Sequence, residues 1–490
     1  MSAKSKNFKK YRGTFILLGL VLVLVASYIW LLPLIQANKK VEDENKGENL
    51  EAVQLVNVDQ YSITHMLINN KEQVIELEYS PAKGTNSDGS EYDTYLWFLK
   101  QPEGYDDLDQ LMMRGVATNV SNLVSTKIID KEPKDLSTYG LHDPMSTIVT
   151  LTTGEKITIK VGDKAPLTTA RYVQVGDDPT VYTIKSYTAG KIIPKINELR
   201  TTGIVSFAST EVNEISMGRD GEKLFSATRN ADDIWVLDYP IPADSNTETV
   251  GTLIESLVTL FKQSFVERDP TDLSKYNLVE PYYEFELGTI KGEKKQIYLG
   301  REDKTDNSFY ARFDDSKEVF KVPNATLTYI DKPLTEIMQL FTYIVNYKKV
   351  DKLTVKVKGE PDQVSIIQAD AADSSKDVFY FNGKEANMKD SEGHQVWRLY
   401  YQGIIGTLMS SVDTQAQPKG EPEITYIFEQ NDEAGTVTME FIPMDDGQNY
   451  WCMKNGEYTG MIVNRRQFYG KSGLMEKYQT LADHINAANK

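Results

Sequence analysis

Three carboxylates that each stand one residue before a proline, Asp143, Glu280 and Glu421, are the residues of this chain whose recurrence first suggests chemistry. A repeated acid can serve as a ligand or as a general acid. Nothing titratable travels with these three, since His142 precedes Asp143 but Val279 precedes Glu280. The four histidines, His65, His142, His394 and His484, lack metal-ligand spacing, and neither a Gly-x-Ser-x-Gly elbow nor a Walker loop occurs. The lone Cys452 excludes an internal disulfide and a cysteine zinc site, and its strand-like surroundings make it a structural residue. Two acidic stretches, one with Asp88, Glu91 and Asp93 and one with Asp370, Asp373 and Asp377, lack the spaced ligands of a calcium loop and read as hairpin loops. No nucleophile stands with a base, so the expectation is a protein that is not an enzyme, with no catalytic residue, metal or cofactor.

The elements that carry the acid-proline pair are written more than once. "DLSTYGLHDP", from Asp135, returns as "DLSKYNLVEP", from Asp272, which matches Tyr139 with Tyr276 and Pro144 with Pro281. Downstream, Gly162 matches Gly300 and Tyr172 matches Tyr310; upstream, Trp97 and Leu99 match Trp235 and Leu237. A worn third copy supplies Trp397 in "QVWRLYY", Pro422 after Glu421, and Tyr450 in place of the second tyrosine, without the Asp-Leu-Ser-x-Tyr box. These units are too long for solenoid repeats and have the size of ordinary domains. The boundaries read as repeat domains 51–202, 203–347 and a divergent 348–490.

Within each copy alternating apolar runs come first, such as "ITHMLIN", "VIELEY" and "TYLWFLK", and these predict strands. A helix follows, traced by Leu108, Leu111, Met112, Val120, Leu123, Val124 and Ile128 in copy one, and by Val250, Leu253, Ile254, Leu257, Val258 and Phe261 in copy two, with a Ser245–Glu248 capping box. Copy three offers Ile404, Ile405, Leu408 and Met409. After the box come four short strands, "STIVTLTT", "KITIKVG", "RYVQVG" and "TVYTIK", and the chain closes on a helix with Leu474, Tyr478, Leu481 and Ile485 on one stripe. Asp135 and Asp272 are placed to cap a short turn, which the proline stops before the next strand. The three tryptophans, each read as ending a strand before the helix, are expected in the core. The fold class expected is α+β: an N-terminal transmembrane helix, then three homologous domains, each of mainly antiparallel strands with a packed helix.

Thr14–Leu34 carries no charge and is long enough to cross a bilayer as a helix. The basic tail before it, residues 1–13 with Lys4, Lys6, Lys9, Lys10 and Arg12, is placed in the cytoplasm by the positive-inside rule. The run exceeds the apolar core of a signal peptide, so a retained anchor is favoured over cleavage. Residues 35–50 form a polar linker, and the bulk of the chain is expected outside the cell membrane, held by a single pass. The formal charge is −17 although the tail is basic, which argues against nucleic acid as a partner.

"YGLHDP", followed by "TIVTLTTGEKITIKVGDK" and "RYVQVGDDPTVYTI", resembles the bacterial family numbered 4340 among the domains of unknown function. "YNLVEP" with "YLGRE" and "FYARFDDSKEVFKV" is similar. The resemblance covers copies one and two and brings no catalytic residue with it. It implies a membrane-anchored protein that accompanies an ABC transport system, with the permease or an auxiliary membrane protein as partner. The function expected is thus a non-enzymatic accessory protein; the alternative is a cell-envelope module that binds polysaccharide or peptide without a transporter.

Overall fold

The computed structural model describes residues 52–85, 89–314 and 316–488. The expected tail (1–13), transmembrane helix (14–34) and linker (35–50) lie outside them. No helix among the described residues is long and apolar enough to cross a membrane. The anchored, extracytoplasmic location expected from the sequence is therefore not supported by the described residues, since no spanning helix occurs among them and the segment expected to span lies outside them.

The chain divides between Thr201 and Thr202 into two compact units. The first contains β1 (Gln54–Asn57), β2 (Ile63–Asn69), β3 (Val74–Thr85), β4 (Glu91–Gln101), α1 (Gln110–Ser121), β5 (Asn122–Val124), β6 (Lys127–Asp130), β7 (Met145–Leu151), β8 (Lys156–Lys164), β9 (Ala170–Val175), β10 (Val181–Lys185) and α2 (Ser186–Ile192). The second opens with β11 (Val212–Arg219), β12 (Glu222–Arg229), β13 (Trp235–Tyr239), β14 (Ala243–Asp244), α3 (Thr247–Val258), β15 (Ser264–Glu267), β16 (Tyr283–Thr289), β17 (Lys294–Asp303), β18 (Ser308–Phe313), β19 (Val319–Pro323) and α4 (Leu334–Ile337). It continues with β20 (Val350–Val357), β21 (Gln363–Gln368), β22 (Val378–Phe381), β23 (Lys384–Glu385), α5 (Val396–Ile405), β24 (Ser411–Val412), β25 (Ile424–Gln430), β26 (Thr436–Pro443), β27 (Asn449–Lys454), β28 (Glu457–Asn464), α6 (Arg466–Tyr469) and α7 (Leu474–Ala488).

One topology recurs three times. In the first sheet the order is β4-β3-β2-β7-β8-β9-β10-β6; in the second, β14-β13-β12-β11-β16-β17-β18-β19-β15; in the third, β23-β22-β21-β20-β25-β26-β27-β28-β24. Each is two meanders joined edge to edge at their first strands, as in β2 with β7, with a helix and one short strand of the same sheet between them in sequence. A separate pair, β1 with β5, makes a fourth sheet. Every pairing is antiparallel, and strand takes 42% against 21% helix, so the fold is mostly antiparallel β rather than the expected α+β. The physical reason is the ratio within each repeat: a long helix covers one face of a sheet of eight or nine strands.

Alternation along the strands sets that face. Thr147, Val149 and Leu151 of β7 are buried, as are Tyr283, Phe285 and Leu287 of β16 and Ile424, Tyr426 and Phe428 of β25. Helix α3 buries Val250, Leu253, Ile254 and Leu257 against its sheet. In α1 the buried face is instead Met113, Val116, Ala117 and Val120, while Leu111 and Met112 are exposed and Leu123, Val124 and Ile128 fall on strands. The cap of α3 is Asn246, which accepts from the Thr249 amide, and not Ser245, whose hydroxyl donates to the Trp235 carbonyl. One contiguous apolar core runs through the second and third sheets, and the first unit has its own.

Candidate binding groove

The repeated box is a clasp. Asp135 accepts hydrogen bonds from the Ser137 amide and hydroxyl, and Asp272 does the same for Ser274. A single 3-10 turn follows each, capped directly by Asp135 in the first copy and preceded by Leu273 in the second, and it ends on a left-handed residue, Gly140 or Asn277. The turn presents Tyr139 to Tyr172 at 5.0 Å between ring centroids, and Tyr276 to Tyr310 at 5.1 Å. Each hydroxyl donates to an acid on the short outer strand, Tyr139 to Asp130 at 3.0 Å and Tyr276 to Glu267 at 2.6 Å. The matched glycines now have a cause: a Cβ on Gly162 would lie 2.1 Å from the Tyr139 carbonyl oxygen, and one on Gly300 would lie 2.0 Å from that of Tyr276.

Pro144, Pro281 and Pro422 each sit just before the strand that joins the two meanders, β7, β16 and β25. The acids beside them share no site. Asp143 pairs with Lys71, Glu421 is exposed, and Glu280 lies in the groove described below. Trp97 and Trp235 are buried on β4 and β13. Trp397 is buried too, but it lies on a helix, the second residue of α5, and stacks on Phe379 at 4.0 Å. The strand-end reading of "QVWRLYY" is therefore corrected; the run is aromatic and β-branched, yet it repeats at helical spacing.

Tyr450 is one residue out of register. On the strand facing the outermost short strand, Thr183 pairs with both Lys127 and Tyr172, and Lys321 pairs with both Ser264 and Tyr310. In the third sheet the residue so placed, Ile462, pairs with Ser411 and Trp451. Trp451 thus holds the place of the second tyrosine, and Tyr450 points to the opposite face, into the core against Phe468 at 5.2 Å. Its hydroxyl accepts from Arg465 at 2.7 Å.

The remaining titratable residues are scattered. His65 bonds Glu76 at 2.8 Å, His394 bonds Asp390 at 3.2 Å, and His484 bonds the Thr480 carbonyl at 2.8 Å. The Asp370–Asp377 loop satisfies its own amides: Asp370 accepts from Ala372 and Asp373, and Asp373 accepts from Ser375. Asp377 accepts from Arg398 at 2.7 Å and Tyr347 at 2.8 Å. No group of acids, histidines or cysteines that could hold a metal exists among the described residues.

A groove of about 1390 Å³ opens in the middle repeat, where β16 and β18 begin and β17 ends. After β10 the first repeat lays down α2, whereas after β19 the second makes only a 3-10 turn, Asn324–Thr326, before irregular chain reaches α4. Tyr283 and Phe309 line the interior, and Tyr282 and Tyr329 are partly exposed. Arg301, Lys304, Asp220 and Glu280 bring both signs of charge to the lining. The wall is tied by ionic hydrogen bonds: Lys321 donates to Asp303 at 2.7 Å and Asp306 at 2.8 Å, Lys332 donates to Glu336 at 2.5 Å, and Asn324 donates to Glu302 at 2.7 Å. Tyr283 donates to Asp331, which Arg219 approaches at 3.7 Å.

These contacts move the groups away from neutrality. The hydrogen bond from Lys321, helped by Thr305, holds the Asp303 carboxyl well below the usual carboxylate range. The bonds to Asp303 and Asp306 push Lys321 upward. Burial first, and then the bond to Asp331, push the Tyr283 phenol upward. Lys275 is raised by Glu267, and Lys332 by Glu336. A general acid or base works best with a pKa near the operating pH, and none of these groups is moved toward it.

The profile of the family described as "Domain of unknown function (DUF4340)" matches residues 97–244 and again 235–396. No curated protein matches the chain. Among solved structures, a GH43 beta-1,3-galactosidase aligns over 85% of this chain and 82% of its own at 12% identity, with a TM-score of 0.07, which carries no argument. The two family matches overlap the repeated box and the tryptophan strands and extend together over residues 97–396, so the chain belongs to the family Domain of unknown function (DUF4340).

Proposed function

We propose that this chain is a non-enzymatic accessory component of an ABC transport system, which engages its partner through the groove of the middle repeat. The transport context comes from the family likeness. The binding role rests on one observation: an open groove lined by tyrosines and charges of both signs, in which ion-paired hydrogen bonds hold the Asp303 carboxyl below its ordinary range and Lys275 and Lys332 above theirs. Prealigned ion pairs and exposed aromatics suit recognition of a polar protein surface. The acidic whole disfavours nucleic acid. Photocrosslinking from position 329 in living cells tests this: the reading requires adducts with transporter subunits, and none from an exposed control position such as 167.

A second reading, binding of envelope polysaccharide, is favoured by Tyr282 and Tyr329 beside the groove carboxylates, because sugar faces stack on exposed aromatic rings. Retention of the purified chain on cell-wall glycan, lost in Tyr282→Ala, would select it.

A further inference from the structure

We infer that the outer edge of β4, in the first unit, is a strand-addition site for an extended segment of a partner polypeptide. The second and third sheets each have nine strands, and the first has eight. The strand lacking is the one at the β4 edge. In the second sheet β14 covers β13 through Val236 with Asp244 and Leu237 with Ala243; in the third, β23 covers β22 through Tyr380 with Glu385 and Phe381 with Lys384. Nothing of this kind covers β4 among the described residues.

The edge is also long. β3 and β4 pair from Glu76 with Gln101 out to Thr85 with Glu91, whereas β2 pairs with β3 only from Val74 to Glu78. The outer half, Ser80–Thr85 with Glu91–Leu96, is therefore a two-stranded ribbon reaching past the sheet. An unpaired edge of this kind is a template for another strand unless something blunts it.

The parity of the edge can be read from Gln110. Its side-chain amide accepts from the Trp97 amide at 3.0 Å and donates to the Trp97 carbonyl at 2.8 Å, so the groups of Trp97 face outward and are already paired. Alternation then turns the N–H and C=O of Asp93 and Tyr95 outward as well. The same parity sets Tyr95 opposite Pro81, which has no N–H to offer, so the free side of β3 is blunted and that of β4 is not. Tyr95 packs against Tyr79 at 5.5 Å between ring centroids and Tyr79 against Trp97 at 5.0 Å, a strip of tilted rings on one face; Tyr92 and Phe98 are exposed on the other. Main-chain bonds with side-chain contacts on alternate residues are how a sheet edge takes a peptide. Gln110 stops the site at Trp97, which suits a short linear segment and prevents a second copy from running its own β4 along the whole edge.

Random peptides of about nine residues, displayed on phage and selected on the intact full chain, provide the test. Enriched sequences should carry apolar residues at alternate positions, and the synthetic peptides should protect the Asp93 and Tyr95 amides from hydrogen exchange. Tyr95→Pro removes an outward N–H without removing a bond to β3, and should weaken binding by about tenfold or more, while Tyr95→Ala keeps the main-chain contact. N-methylation of the peptide at one set of alternate amides should abolish binding and at the other set leave it intact, a readout independent of how the protein variant folds. No enrichment, equal loss for both methylation sets, or protection away from residues 91–96 overturns the proposal. Protection of 91–96 that grows with protein concentration without peptide also overturns it, by assigning the edge to a second copy.

Discussion

Replacing Gly300 by alanine tests the clasp where it is tightest. The added Cβ would stand 2.0 Å from the Tyr276 carbonyl oxygen and 3.1 Å from that of Asn277. Contact with a backbone oxygen needs roughly 3 Å, so β17 and the box must part by about 1 Å. If the box moves, the Tyr276 bond to Glu267 at 2.6 Å and the ring contact with Tyr310 are given up. If β17 moves, the pairing of Leu299 with Tyr283 and Ala311 is strained. A hydrogen bond to a charged group contributes about 1.5–3 kcal/mol, and overpacking costs about 1–3 kcal/mol. The loss expected is therefore about 3–5 kcal/mol. Because a chain of this length need not unfold in one step, the assay is native-state hydrogen exchange read locally over residues 272–281 and 294–303. Gly251→Ala is the control: it lies in α3 with open space where its Cβ would go, and should stabilise by about 0.5–1 kcal/mol. A loss below about 1 kcal/mol at Gly300, with the Tyr276–Glu267 contact intact, would refute the close-approach argument.

Three further outcomes follow from named contacts. Trp397→Ala removes the stack on Phe379 and the bond from its indole N–H to Ser365 Oγ at 3.0 Å, and should cost about 3–5 kcal/mol in the third repeat, read as faster exchange in α5 and β22. The depressed pKa of Asp303 means that its bonds to Lys321 and Thr305 add stability above the unfolded carboxylate value of about 4, and that this is lost as pH falls below it; Asp303→Asn should flatten the acid limb of a urea-midpoint profile. Burial pushes the Cys452 thiol up to about 12, so maleimide at pH 8 should leave the native chain unlabelled and label it fully in urea.

Much of the strand pattern was legible because one face of each sheet is buried and apolar residues alternate, as in "TIVTL" of β7 and "YEFEL" of β16. The box was legible because it is written twice. What the glycines answer to was not, since the carbonyl facing Gly162 comes from Tyr139, brought near only when the turn folds onto β8. The Trp-x-Leu spacing that Trp397 and Leu399 share with Trp97 and Trp235 points to a strand end, whereas Trp397 lies on a helix; the helical spacing of Val396, Tyr400 and Tyr401 with Ile404 is the better signal. The exchange of Tyr450 for Trp451 is a one-residue slip that only the partner strand reveals. The groove was invisible because it gathers Asp220, the box, the end of β17 and the chain before α4, which no local period connects.

Whether the middle groove docks a partner or houses a reaction is decided by placing a photocrosslinking residue at Tyr329 in the full chain and identifying its adducts by mass spectrometry. Docking requires adducts with transporter subunits that fall sharply when Arg301 and Lys304, which line the groove, are both reversed to glutamate. Adducts only with glycan, adducts insensitive to those reversals, or none above the control position would contradict it.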